Sequence, residues 1–150
     1  MARAIPIDPI LEKGYNVRLL VEDFDGLIEK WSNRSEKFRE TVDSSLNCKY
    51  GNGEKDKLDI FRCGKPNAPL FIFVHGGYWQ RGDKSVYSFV AESFVSSGID
   101  VALIGYQLCP SASMTNIVDK IREAVIWIWN NADDYAISKN RINVSGHSAG

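Results

Sequence analysis

The segment Leu70-Phe-Ile-Phe-Val74 places the tightest limit on what this chain can fold into. It is five consecutive apolar residues, rich in aromatic and β-branched types that suit a strand. A strand with one wet face alternates apolar and polar residues. An unbroken run has to be buried on both faces, as in a parallel sheet covered by helices. Ile99–Tyr106 repeats the pattern with Val101, Ala102, Leu103 and Ile104, and Ile142–Val144 begins a third short apolar strand that runs into Gly146. Helical patterns separate these runs. Asp83 is suited to cap a helix through Ser96, with Val86, Phe89, Val90 and Val95 as its stripe and Gly98 as its stop. A second helix is predicted over Thr115–Asn130, burying Ile117, Ile121, Ala124, Val125 and Ile128. Alternation with connections this long implies parallel strands joined by right-handed crossovers. The predicted fold is α/β, a doubly wound and mostly parallel sheet.

Upstream of that core, residues 8–45 read as mainly helical. Phe24, Leu27, Ile28, Trp31 and Phe38 fall on one helical face, and Trp31 and Phe38 are expected to pack on the body of the domain. Residues 46–56 carry Asn52-Gly53 and read as a turn region, Lys57–Cys63 as a short strand, and Gly64–Pro69 as a loop. The 150 residues are enough for one domain with a core, arranged as a helical segment over 1–45 and a β/α core over 57–150.

Charge and composition narrow the function classes. With 18 basic against 19 acidic residues and no basic stripe, no nucleic acid and no anionic membrane is expected as partner. The start, Met1–Pro9, has no apolar signal-peptide region, and no apolar run approaches the roughly 20 residues that span a bilayer, so a cytoplasmic location is expected. Cys48, Cys63 and Cys109 are odd in number and widely spaced, unlike a disulfide framework or a zinc site, and are read as free thiols. No metal and no cofactor are expected. A nucleotide-binding domain is disfavoured, because neither G-x-G-x-x-G after the first strand nor G-x-x-x-x-G-K-[ST] is present.

Two motifs carry chemistry. Gly146-His147-Ser148-Ala149-Gly150 is a complete G-x-S-x-G directly after a predicted strand. A sharp strand-to-helix turn of this kind holds the serine in a strained conformation, its Oγ clear of the C-terminal edge of the sheet. Flanking glycines remove side chains that would collide there. The N–H of Ala149 then points to where an oxyanion would form. His75-Gly76-Gly77-Tyr78-Trp79 directly follows the buried strand 70–74, where a glycine turn can bring backbone amides up to a substrate oxygen. Taken singly, the first motif can be a Gly/Ser turn, and the second a loop with a structural histidine or a phosphate cradle. Their order, separated by alternating helices and strands, favours a nucleophile facing an oxyanion hole.

On these residues the chain resembles the kynurenine formamidase (arylformamidase) group of α/β-hydrolases. The resemblance rests on Val74-His-Gly-Gly-Tyr-Trp-Gln80, on Gly146-His-Ser-Ala-Gly150, on Leu58-Asp-Ile-Phe61 leading into Ala68-Pro69, and on the helical N-terminus with Trp31. Neighbouring carboxylesterases carry His-Gly-Gly-Gly where this chain has His75-Gly76-Gly77-Tyr78. The resemblance implies that Ser148 is the nucleophile and that the amides of Ala149 and of Gly76, Gly77 and Tyr78 form the oxyanion hole. Which two turn amides point inward is left open. Tyr78 and Trp79 are candidates to wall the substrate pocket; for Trp79, packing that fixes the loop is an equal alternative.

Neither histidine is a candidate base. His147 adjoins Ser148 on the elbow, where their side chains diverge, and His75 belongs to the glycine turn with a structural role. In this fold the acid and the histidine follow the nucleophile in the chain. The expectation is therefore an N-terminal part of a hydrolase whose acid and base lie beyond Gly150. Residues 1–150 alone are expected to be inactive and poorly soluble, with strand 142–146 an unpaired apolar edge. The implied partner is a small-molecule substrate, with formylkynurenine first, small acyl esters as the rival, and a non-catalytic relative as the third reading. A homodimer remains open.

Overall fold

A computed structural model describes residues 6–150. The first turns are α1 (Pro9–Tyr15), a 3-10 turn over Val17–Leu20, and α2 (Phe24–Thr41), which Asp23 caps by accepting from the Gly26 amide. Strands β1 (Ser44–Lys49), β2 (Lys57–Phe61) and β3 (Ala68–Val74) follow. A 3-10 segment over Lys84–Val90 runs into α3 (Ala91–Ser96), then come β4 (Asp100–Ile104), α4 (Met114–Asn131) and β5 (Ile137–Gly146).

The five strands form one sheet in the order β1-β2-β4-β3-β5. The β4-β3-β5 part is parallel, as two crossovers require, while β1 and β2 join antiparallel at the other edge. The antiparallel edge has a local cause: the turn residues 50–56 are too few for a crossover, so β1 and β2 close as a hairpin. β1 replaces the expected end of the helical segment and the start of the turn region. Its sequence, Ser44-Ser-Leu-Asn-Cys-Lys49, carries only a short apolar alternation, Leu46 and Cys48 against Asn47 and Lys49, and pairing with β2 completes it as a strand.

The crossovers step in opposite directions from β3 to β4 and from β4 to β5. Right-handed connections of opposite direction place their helices on opposite faces. The side chains sort accordingly. Leu58, Ile60, Leu70, Ile72, Val74, Ala102 and Ile104 meet Ile117, Ala124 and Ile128 of α4 on one face. Phe61, Phe73, Val101 and Leu103 meet Ala91, Phe38 and Tyr87 on the other. Every residue of β4 is buried, which is why its run shows no alternation.

Asp83 does cap the helical stretch after it, accepting from the Ser85 amide at 3.0 Å, but the first seven residues wind as 3-10 before α3 begins. Gly98 ends α3 with φ +84. The last strand is longer than the apolar triplet suggested and lies at the sheet edge, with Val144 still 57% exposed. Among the described residues no helix is long and apolar enough to cross a membrane.

Candidate active site

The site is built by the register of two neighbouring strands. In the parallel β3–β5 pair, Val74 lies opposite Gly146. The chain therefore leaves both strands at the same height, and the His75 turn and the Ser148 elbow begin side by side. The amide of His147 donates to the Val74 carbonyl at 3.1 Å, which ties the elbow to the end of β3. The Gly150 amide returns to the His147 carbonyl at 2.9 Å and closes the elbow on itself. Ser148 has φ +57, a left-handed conformation that costs a non-glycine residue energy and is kept where surrounding structure enforces it.

Gly76 is where the two motifs touch. A Cβ there would lie 2.6 Å from the His147 carbonyl oxygen and 2.9 Å from Ser148 Cβ, so no side chain fits. The structure thus brings Gly76 and Ser148 together, although 71 positions separate them in sequence. The turn closes when the amides of Gln80 and Arg81 both donate to the Gly77 carbonyl, at 3.1 and 3.0 Å. The N–H groups of Gly77, Tyr78 and Ala149 have no hydrogen-bond partner among the described residues. Unpaired donors at such a place are open to solvent or to a ligand oxygen.

Tyr78 and Trp79 separate into two environments. Both adopt positive φ, +56 and +57, and their rings lie 5.4 Å apart. Trp79 packs partly buried against the α4-side core, and its carbonyl accepts from the Cys109 amide at 2.7 Å. It fastens the turn to the loop after β4. Tyr78 is 68% exposed and free to meet a ligand.

Behind the turn, His75 is 1% exposed, with its ring stacked between Tyr87 and Tyr106. Burial pushes its pKa below the ordinary histidine value, against the opposing pull of its bond to the Gly76 carbonyl and of Asp83. A histidine enclosed in this way is no general base for Ser148. Among the described residues no group of three or more His, Cys, Asp or Glu side chains is placed to hold a metal ion.

Other buried polar groups were invisible in the sequence. Lys84 Nζ lies 2.6 Å from Asp59 Oδ1 with both side chains almost wholly buried, and Asn47 joins them through its side-chain oxygen and its amide. Asp100 is buried at the start of β4 and accepts from the Cys63 amide at 2.8 Å. The only signal that could have flagged Asp59 and Asp100 is their position inside or at the mouth of an apolar strand.

The BD-FAE family model matches residues 58–150. The chain belongs to the BD-FAE family. Kynurenine formamidase from Salmo salar is 33% identical over 118 residues, which are 77% of this chain and 39% of that protein. Isoprenylcysteine alpha-carbonyl methylesterase ICME from Arabidopsis thaliana is 27% identical over 103 residues, 67% of this chain and 24% of that protein. A crystal structure from a Silicibacter species, of a protein provisionally described as a thioesterase, superposes with TM-score 0.82 and 34% identity over 93% of this chain and 52% of that one. This BD-FAE chain is thus an arylformamidase-like α/β-hydrolase of the esterase branch, and it spans about two fifths of the length of the kynurenine formamidase it matches.

Proposed function

We propose that this BD-FAE protein is a serine hydrolase that cleaves a small N-formyl aromatic amide, with formylkynurenine as the substrate. The observation that carries the reading is the meeting of Ser148 with a glycine turn whose amides are unpaired: Gly76 touches the elbow, and the N–H groups of Gly77, Tyr78 and Ala149 have no partner among the described residues. Ser148 Oγ attacks the formyl carbon, its proton passing to a general base. The carbonyl π electrons move to oxygen, and the resulting oxyanion is held by the amide of Ala149 and amides of the 76–78 turn. Collapse expels the aryl amine, which takes a proton. Water then attacks the formyl ester on Ser148 and releases formate.

A serine hydroxyl is a weak nucleophile near neutral pH without an adjacent base. His75 is enclosed, and His147 sits on the elbow itself. The reading therefore assigns the base and its acid to sequence outside these 150 residues, so the full-length protein is the one to assay. The substrate class rests on the relatives named kynurenine formamidase, at 31 to 35% identity. Exposed Tyr78, an aromatic face beside the turn, suits an aryl substrate.

A second reading, hydrolysis of small acyl esters by the same residues, draws on the esterase relatives and on the Silicibacter structure. Comparing kcat/KM on formylkynurenine and on p-nitrophenyl acetate separates the two. The formamidase reading expects at least a hundredfold preference for formylkynurenine, and a preference for the ester overturns it.

A further inference from the structure

We propose that Trp79 is a positioning residue: its seated ring and its bonded carbonyl hold residues 77–79 in a left-handed turn that their own side chains disfavour, and so keep the turn amides in place for Ser148. The proposal rests on the assignment of Ser148 and the turn amides made above.

The turn is an unusual one for its residues. The Gln80 amide closes it on the Gly77 carbonyl at 3.1 Å, and φ is positive at both central positions, +56 at Tyr78 and +57 at Trp79. That is the I′ arrangement, which Gly, Asn and Asp ordinarily supply. Asn47 and Asn67 enter the same region, at φ +58 and +53, with a side chain suited to it. Two adjacent aromatic residues have no such tolerance, because each Cβ crowds its own backbone. Gly77 precedes them at φ +125, and a Cβ there would run into the Arg81 carbonyl.

Something beyond the turn has to offset that cost. Tyr78 is 68% exposed and contributes little. Trp79 is held twice. Its ring packs against the core on the α4 side, where Leu108, Cys109 and Ala112 of the loop after β4 also gather. Its carbonyl accepts from the Cys109 amide at 2.7 Å. With Trp79 fixed at ring and backbone, and Gln80 bonded back to Gly77, Tyr78 between them is carried into the left-handed form. Relaxation to negative φ rotates the peptide planes on either side of Tyr78, and the N–H groups they carry change direction. Donors that stabilise an oxyanion act through a direction fixed beforehand.

The test uses the full-length protein with p-nitrophenyl acetate and formylkynurenine, with kcat taken per folded molecule from circular dichroism. Trp79→Ala removes the ring and keeps the Cβ that disfavours positive φ. Trp79→Gly removes the ring and the Cβ together. The expected result for Trp79→Ala is a fall in kcat of about 10²-fold with KM within about threefold, the size of losing an oxyanion donor. Trp79→Gly is expected to be faster than Trp79→Ala by about tenfold, the cost a Cβ adds in the left-handed region. Simple loss of packing predicts the reverse order, since glycine is the smaller and looser residue. A Trp79→Ala enzyme within tenfold of wild type, or a Trp79→Gly enzyme no faster than Trp79→Ala, overturns the proposal. Hydrogen exchange of the wild type needs no variant. Once Ser148 carries a phosphonate, whose oxygen the turn amides hold, the Cys109 amide is expected to exchange about tenfold more slowly. An unchanged rate overturns the proposal. A wild-type protein with neither turnover nor a label on Ser148 sinks the underlying assignment, whereas a labelled, active wild type with an indifferent Trp79 sinks only this proposal.

Discussion

The two ends of the sheet solve the problem of burying polar atoms in opposite ways. Where β3 and β5 run out, backbone is packed on backbone: Gly76 touches the His147 carbonyl and Ser148, and the polar groups left over are amides. At the β1–β2 edge, side chains carry the charge inward: Lys84, Asp59 and Asn47 satisfy one another beneath the surface. Amides on a rigid turn have fixed directions and do not titrate over ordinary pH, which suits the stabilisation of a charge that exists only in a transition state. A buried ion pair stabilises chiefly by being complete, and breaking it leaves an uncompensated charge. The first arrangement should govern turnover, the second folding.

The sharpest way to break that contrast is at its functional pole. Ser148→Ala in the full-length protein is expected to lower kcat by roughly 10⁴–10⁶-fold while leaving the thermal midpoint little changed, read by steady-state kinetics and calorimetry. The opposite pole comes next. Lys84→Met leaves Asp59 buried without its cation and is expected to cost about 3–5 kcal/mol of stability in urea melts, with kcat per folded molecule unchanged. A kinetic defect in folded Lys84→Met would show that the two ends are coupled.

Gly76→Ala probes the junction of the motifs. The added methyl has to displace the His147 carbonyl or Ser148, so kcat is expected to fall about 10²–10³-fold. Overpacking adds a stability loss of about 1–3 kcal/mol. The smallest effect concerns pH. The folded protein lowers the pKa of His75, so the unfolded chain binds the proton more readily. Stability from this group is present above the ordinary value of about 6.5 and is lost as pH falls from there toward the folded value. His75→Phe is expected to flatten the stability profile in that window, measured by urea melts at stepped pH.

What could be read from the sequence follows the same divide. Leu70–Val74 and Val101–Ile104 have to be buried on both faces, so their strands were legible, and their register with β5 explains why two distant glycine motifs meet. The glycines of both motifs were legible because a close backbone approach admits little else. β1 was not, since the alternation of Leu46 and Cys48 with Asn47 and Lys49 is too short to mark a strand without its pairing with β2. Lys84, Asp59 and Asp100 were not, because lysine and aspartate ordinarily lie at the surface and only the fold shows who their partners are. Tyr78 and Trp79 are adjacent and chemically alike; only coordinates distinguish the ring that packs from the ring that faces solvent.

The central claim is that Ser148 is an activated nucleophile facing backbone amides. Treating the full-length protein with a fluorophosphonate and mapping the adduct by peptide mass spectrometry tests it most directly, with Ser148→Ala as control. A single adduct on Ser148, lost together with turnover in the control, is the expected result. Turnover that persists in Ser148→Ala, or an adduct on another residue, would contradict the account.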